Sequence, residues 1–69
     1  MTARQEIAGY EPGRFNVLVE YHGQPWGNIT VNAKSPILAC EAAERMAAVK
    51  HDHSLDNLSA FFAYSAIRA

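Results

Sequence analysis

Two short runs of the chain alternate between apolar and polar residues, the two-residue period of a half-buried β-strand. The apolar positions of the first run, residues 15–22, are Phe15, Val17, Val19 and Tyr21. Those of the second run, residues 27–34, are Ile29, Val31 and Ala33. The segment from Gly23 to Gly27 holds two glycines and a proline, so we expect a β-hairpin with a wide loop that presents Trp26.

A helix is predicted over residues 36–50. Ser35 is a preferred N-cap residue, and Pro36 is favoured at the first helical position, where its missing N–H costs nothing. The residues expected to form the apolar face towards the sheet are Leu38, Ala39, Ala42, Ala43, Met46 and Val49. Outside that face, Glu41 and Arg45 are spaced to pair at i,i+4.

The last segment, residues 55–69, fits two structures. Leu55, Leu58 and Phe62 lie at helical spacing, whereas the aromatic and β-branched residues after Ala60 favour a strand. We predict a strand over residues 60–68, because a hairpin alone is too small a platform for the helix. The first residues, 1–12, are expected to form an arm or a weak edge strand before Pro12 and Gly13.

The predicted fold class is therefore α+β, with a small antiparallel sheet of ββαβ order covered on one face by one Ala-rich helix. The alternative order is ββαα. A chain of 69 residues makes one domain, residues 1–69, whose stability is expected to be marginal without a partner.

Charge and cysteine content narrow the function classes. Six Lys and Arg residues face seven Asp and Glu residues, and the cations are scattered along the chain, whereas nucleic-acid modules concentrate them on one face. The lone Cys40 cannot form an intrachain disulfide, and neither a signal peptide nor a long apolar span is recognisable. We therefore expect a cytoplasmic protein that does not enter membranes.

The residues around His51, Asp52 and His53 could ligate zinc or copper, with His22 or Cys40 completing the site. Their spacing matches no known ligand motif, and histidines also suit the C-terminus of a helix, where cations are favoured. Cys40 lies on the Ala-rich helix, where cysteine is usually a small hydrophobic residue rather than a nucleophile. We expect neither an enzyme nor a metal or other cofactor.

Partner binding is the favoured function. Trp26 either anchors a partner from the hairpin loop or folds back onto the end of the sheet. By strand alternation one of Phe61 and Phe62 should point away from the helix, which leaves a partly apolar open face for a protein partner or a second copy. Pairing through an exposed edge strand is a second binding mode. The partner-binding residues predicted are Leu18, Trp26, Asn28, Thr30 and Asn32.

Two strands followed by a Ser-led Ala helix, with residues 33–35 and Ala39, Ala42 and Ala43, resemble the end of the double-stranded RNA-binding domain. That family places lysines at the start of this helix, whereas this chain has Pro36 and Ile37 there. Phosphate contacts of that kind carry duplex recognition. Binding to nucleic acid, directly or through a ribonucleoprotein, is therefore the alternative function, and its candidate residues are Arg14, Lys34, Arg45, Lys50 and Arg68.

Residues 31–35, followed by Ala39, Ala43 and Arg45, resemble the strand-to-helix passage of small phage proteins that include anti-CRISPR inhibitors of type I-F systems. The resemblance implies a non-catalytic α+β inhibitor, encoded by a phage or plasmid, that covers a surface of a host protein complex. This chain lacks the dense carboxylates that mimicry of DNA requires, so the implied contacts are with protein.

Overall fold

The computed structural model describes residues 12–69. Its elements are β1 (Gly13–Tyr21), β2 (Gln24–Ala33), α1 (Pro36–Asp52), a short 3₁₀ turn (Leu58–Ala60) and β3 (Phe61–Arg68). The predicted α+β fold of ββαβ order is confirmed, and the helical alternative for the last segment is wrong. The arm or edge strand expected in residues 1–12 lies outside the described residues apart from Pro12.

The sheet has the order β2-β1-β3, and β1 pairs with both neighbours in antiparallel orientation. Phe15, Val17 and Val19 of this central strand point towards the helix and are fully buried. Burial of side chains of this size stabilises a fold by about 1.5–3 kcal/mol each. Ile29 and Val31 of β2 and Phe61 and Ala63 of β3 complete the sheet side of the core.

The hairpin between β1 and β2 is tight, and the predicted wide loop is wrong. Tyr21 pairs with Gln24, so only His22 and Gly23 form the turn. Both have positive φ, 51° and 80°, as in the type I′ turns whose twist suits a two-residue hairpin. Trp26 therefore lies within β2 and not at a loop tip.

Each outer strand carries one extra residue relative to β1. Val19 faces Gly27 and Glu20 faces Pro25, which leaves Trp26 as a bulge in β2. On the other side, Tyr64 is the extra residue of β3, because Leu18 faces Ser65 and Val19 faces Ala63. Bulges of this kind bend a strand and increase its local twist.

The helix starts as predicted and runs slightly further. The Ser35 hydroxyl accepts a hydrogen bond from the Leu38 backbone N–H at 3.3 Å, and Pro36 opens the first turn. After Asp52, His53 adopts the left-handed conformation (φ 59°) and donates its N–H to the Val49 carbonyl at 2.7 Å. This is an αL cap, here supplied by a histidine instead of glycine.

The helix contacts the sheet through its smallest side chains. The buried helical residues are Pro36, Ala39, Cys40, Ala43, Ala47 and Ala48. Leu38, Met46 and Val49, predicted to face the sheet, are nearly half exposed, so that part of the prediction is wrong. Two neighbouring stripes of the helix are apolar, and the alanine stripe allows a closer approach to the sheet, where packing is dense.

Candidate protein-binding surfaces

The sheet face that points away from α1 brings most of the predicted partner-binding residues together. In the register, Leu18 lies opposite Asn28, and Asn32 lies opposite Arg14. Thr30 is the remaining outward position between these pairs on β2. We call the sheet side away from α1 the open sheet face. It carries Leu18, Asn28, Thr30 and Asn32.

β3 adds large apolar side chains to this region. Phe61 is buried under the helix, whereas its neighbour Phe62 is half exposed, as strand alternation predicted for one of the pair. Tyr64 and Ile67 are 49% and 61% exposed, and Ile67 lies across from Asn16 on the open sheet face. The sequence analysis did not select Tyr64 or Ile67. Alternation alone would place Ile67 on the same face as Phe61, and the bulge at Tyr64, which has no signal in the sequence pattern, turns Ile67 to the open sheet face.

Trp26 does not lie with these residues. It is partly buried against the core, with its ring perpendicular to that of Phe61 at 5.8 Å between centroids. Its indole N–H points to the Nδ1 atom of His51 at 3.4 Å. This matches the alternative in which Trp26 folds back onto the sheet. A Trp26→Ala variant would remove a core contact, so it is unsuited as a probe of partner binding alone.

His51 belongs to the same aromatic cluster. Its ring lies 4.7 Å from that of Tyr21 and 5.8 Å from that of Phe61. Its Nδ1 atom accepts the Trp26 indole N–H, and its Nε2 atom lies 3.8 Å from the Asp52 carboxylate. His51 therefore joins the end of the helix to the hairpin, a role that its position at the end of a predicted helix did not reveal.

The proposed metal-ligating residues are not brought together. Within residues 12–69 no group of three His, Cys, Asp or Glu side chains is arranged to hold a metal ion. His22 lies in the hairpin turn, His53 caps the helix, and Cys40 is buried in the alanine stripe. Burial of Cys40 agrees with its interpretation as a small core residue.

A groove lies between β2 and the C-terminal half of α1, with a cavity of about 770 Å³. We call it the β2 groove. Its apolar lining comes from Ile29, Met46, Val49 and Leu55, and its cations are Arg45 and Lys50. Among the described residues Arg45 forms no ion pair with Glu41, so the pairing suggested by their spacing is absent there.

The five basic residues of the nucleic-acid alternative do not form one patch. Arg14 lies on the open sheet face, whereas Arg45 and Lys50 line the β2 groove. The Arg68 guanidinium lies 5.4 Å from the centre of the Phe15 ring and donates to the Pro12 carbonyl at 3.2 Å. It also occupies the space above Gly13 that a Cβ would fill. Arg68 thus packs against β1. Lys34 lies in the link between β2 and the helix, apart from the other four residues.

The one helix of residues 12–69 is too short and too polar to cross a membrane. No protein-family model, curated protein or solved structure matches the chain.

Proposed function

We propose that the chain is a non-enzymatic protein-binding module that acts by covering a surface of a partner protein complex. The observation that carries the proposal is the group of large apolar side chains exposed together on and beside the open sheet face. Tyr64 and Ile67 are about half exposed or more, on the same strand as the half-exposed Phe62. Exposed apolar groups in contiguous patches are typical of interaction sites.

The chemistry around these side chains favours protein over nucleic acid. Polar side chains without charge, Asn16, Asn28, Thr30 and Asn32, lie beside Leu18 and Ile67, and one cation, Arg14, faces one end. Protein interfaces combine an apolar centre with a hydrogen-bonding rim. A surface that binds along a phosphate backbone needs a row of several cations, and Arg14 alone on the open sheet face does not form such a row.

The inhibitory part of the proposal comes from the resemblance to anti-CRISPR inhibitors of type I-F systems. Such a protein would be encoded by a phage or plasmid and would act in the cytoplasm, where a lone reduced Cys40 is unremarkable. A small domain can block a larger complex by covering part of its surface, and a standard protein interface buries about 800 Å² on each partner.

The test is capture of partners by the tagged chain from bacterial lysate, with and without nuclease treatment, at moderate salt. Wild type is compared with the Tyr64→Ser/Ile67→Ser variant and with Leu38→Ser. Leu38 is exposed to a similar degree but lies on the helix, away from the open sheet face. Circular dichroism confirms that all three chains are folded.

We expect wild type and Leu38→Ser to retain a stoichiometric protein partner that the open-face variant loses. Hot-spot aromatic and aliphatic anchors contribute about 2 kcal/mol or more each, so the loss should exceed tenfold in affinity. Recovery of nuclease-sensitive material alone, with affinity falling steeply with salt, would contradict the proposal and support the basic residues instead. Equal capture by all three chains would mean that Tyr64 and Ile67 are not part of the interface.

A further inference from the structure

The β2 groove has a wall formed by the edge of a strand. Three consecutive residues of β2, Asn28, Ile29 and Thr30, border the same cavity. Successive side chains of a strand point to opposite faces, so consecutive residues can share a cavity only along the edge of the strand. Within residues 12–69, β2 has β1 as its single neighbour, and its other edge borders the groove.

The opposite wall is apolar and exposed. Met46 and Val49 of α1 and Leu55 of the following loop are each about half exposed while lining the groove. Met46 and Val49 were expected to face the sheet, where the smaller alanines pack instead. Their arrangement leaves room for an apolar side chain inserted from outside, between the helix and β2.

The groove is also electropositive. Arg45 and Lys50 line it, no Asp or Glu does, and neither cation is paired with a carboxylate within the described residues. An unpaired cation beside an apolar surface favours a ligand that carries a carboxylate next to an apolar group. Two cations are too few for a phosphate backbone, which is neutralised by many contacts.

We propose that the β2 groove binds an extended acidic segment of a partner protein by strand addition. The backbone of the segment would pair with the edge of β2 that borders the groove, as in other cases of β-augmentation. One of its apolar side chains would enter between Met46, Val49 and Leu55. An adjacent Asp or Glu, or a terminal carboxylate, would bind Arg45 and Lys50. The groove shares Asn28 and Thr30 with the open sheet face, but its apolar pocket and its two cations lie on the helix side of β2, so either proposal can fail without the other.

The experiment is selection of binding peptides from a displayed library of random seven-residue sequences, a length of about 23 Å when extended. The immobilised bait is the full chain, either wild type, Arg45→Gln/Lys50→Gln or Arg14→Gln/Lys34→Gln. Each double variant removes two positive charges, one from an arginine and one from a lysine. Only the first variant removes them from the groove. Amide chemical shifts of the chain, recorded with the most enriched peptide, locate the site.

Wild type and Arg14→Gln/Lys34→Gln should enrich peptides that combine an acidic residue with a neighbouring apolar one and lack a central proline. Arg45→Gln/Lys50→Gln should bind them at least tenfold more weakly, because two charge-assisted contacts are lost. Shifts should concentrate on Asn28 to Thr30 and on Leu55. The proposal is overturned by an absence of enrichment, by enrichment of basic or proline-rich peptides, by equal loss in both double variants, or by shifts confined to β1 and β3.

Discussion

The two outer strands meet the helix in different ways. On the β3 side, the Glu44 carboxylate accepts the Ala63 backbone N–H at 2.8 Å, and Phe61 and Ala63 are buried. On the β2 side, Met46 and Val49 stay exposed and a cavity opens between helix and strand. Within residues 12–69, one helix thus packs closely on the β3 side and leaves a groove on the β2 side.

The largest expected effect is on the β3 side. Phe61→Ala should lower the free energy of unfolding by about 3–5 kcal/mol, because it removes a buried ring in contact with Tyr21, Trp26 and His51. Urea denaturation followed by circular dichroism measures the loss. Tyr64→Ala, at a half-exposed position of the same strand, should cost about 1 kcal/mol or less. Equal losses would contradict the assignment of Phe61 to the core.

An intermediate effect on the free energy of unfolding is expected at the hydrogen bond that joins the helix to β3 beside its bulge. Glu44→Ala leaves the buried Ala63 N–H without this acceptor, at a cost of about 1–3 kcal/mol. Glu44→Gln keeps an acceptor oxygen and should lose less. Hydrogen exchange at the Ala63 amide is the direct measurement: protection should fall in Glu44→Ala and largely persist in Glu44→Gln. Unchanged protection in both variants would show that this bond does not hold the helix to β3.

The smallest effect is expected on the β2 side. Met46→Ala removes a large but half-exposed side chain from the β2 groove, so the free energy of unfolding should change by no more than about 0.5 kcal/mol. Thermal denaturation beside wild type is sufficient to measure it. A loss comparable to that of Phe61→Ala would mean that the groove is part of the core, and the contrast between the two sides would disappear.

The order of the elements could be predicted because its signals are local. Period-two alternation marked β1 and β2, and Ser35 with Pro36 marked the start of the helix. The hairpin turn was missed because Pro25 and Gly27 resemble loop residues, although both belong to β2. Because β2 begins at Gln24, before these residues, Trp26 lies on the sheet and not at a loop tip.

The candidate site could be predicted only in part, because its remaining features depend on tertiary packing. Leu18, Asn28, Thr30 and Asn32 share the open sheet face, as alternation requires. Which of two apolar helix stripes faces the sheet is decided by how closely helix and sheet approach, and hydropathy does not encode that distance. The bond from Ala63 to Glu44 joins residues 19 apart in sequence and has no local signal.

The two bulges give this chain a tolerance to changes in length. Shortening an ordinary strand by one residue inverts the faces of everything beyond the deletion. Here Gly27 and Pro25 already face consecutive residues of β1 across Trp26, and Ser65 and Ala63 do so across Tyr64. Loss of Tyr64 would restore regular pairing and keep the inner residues of β3 inside, whereas loss of Trp26 would restore pairing but also remove its contact with Phe61. A one-residue deletion at Tyr64 should therefore leave the buried residues on their present faces, which a deletion elsewhere in β3 would not.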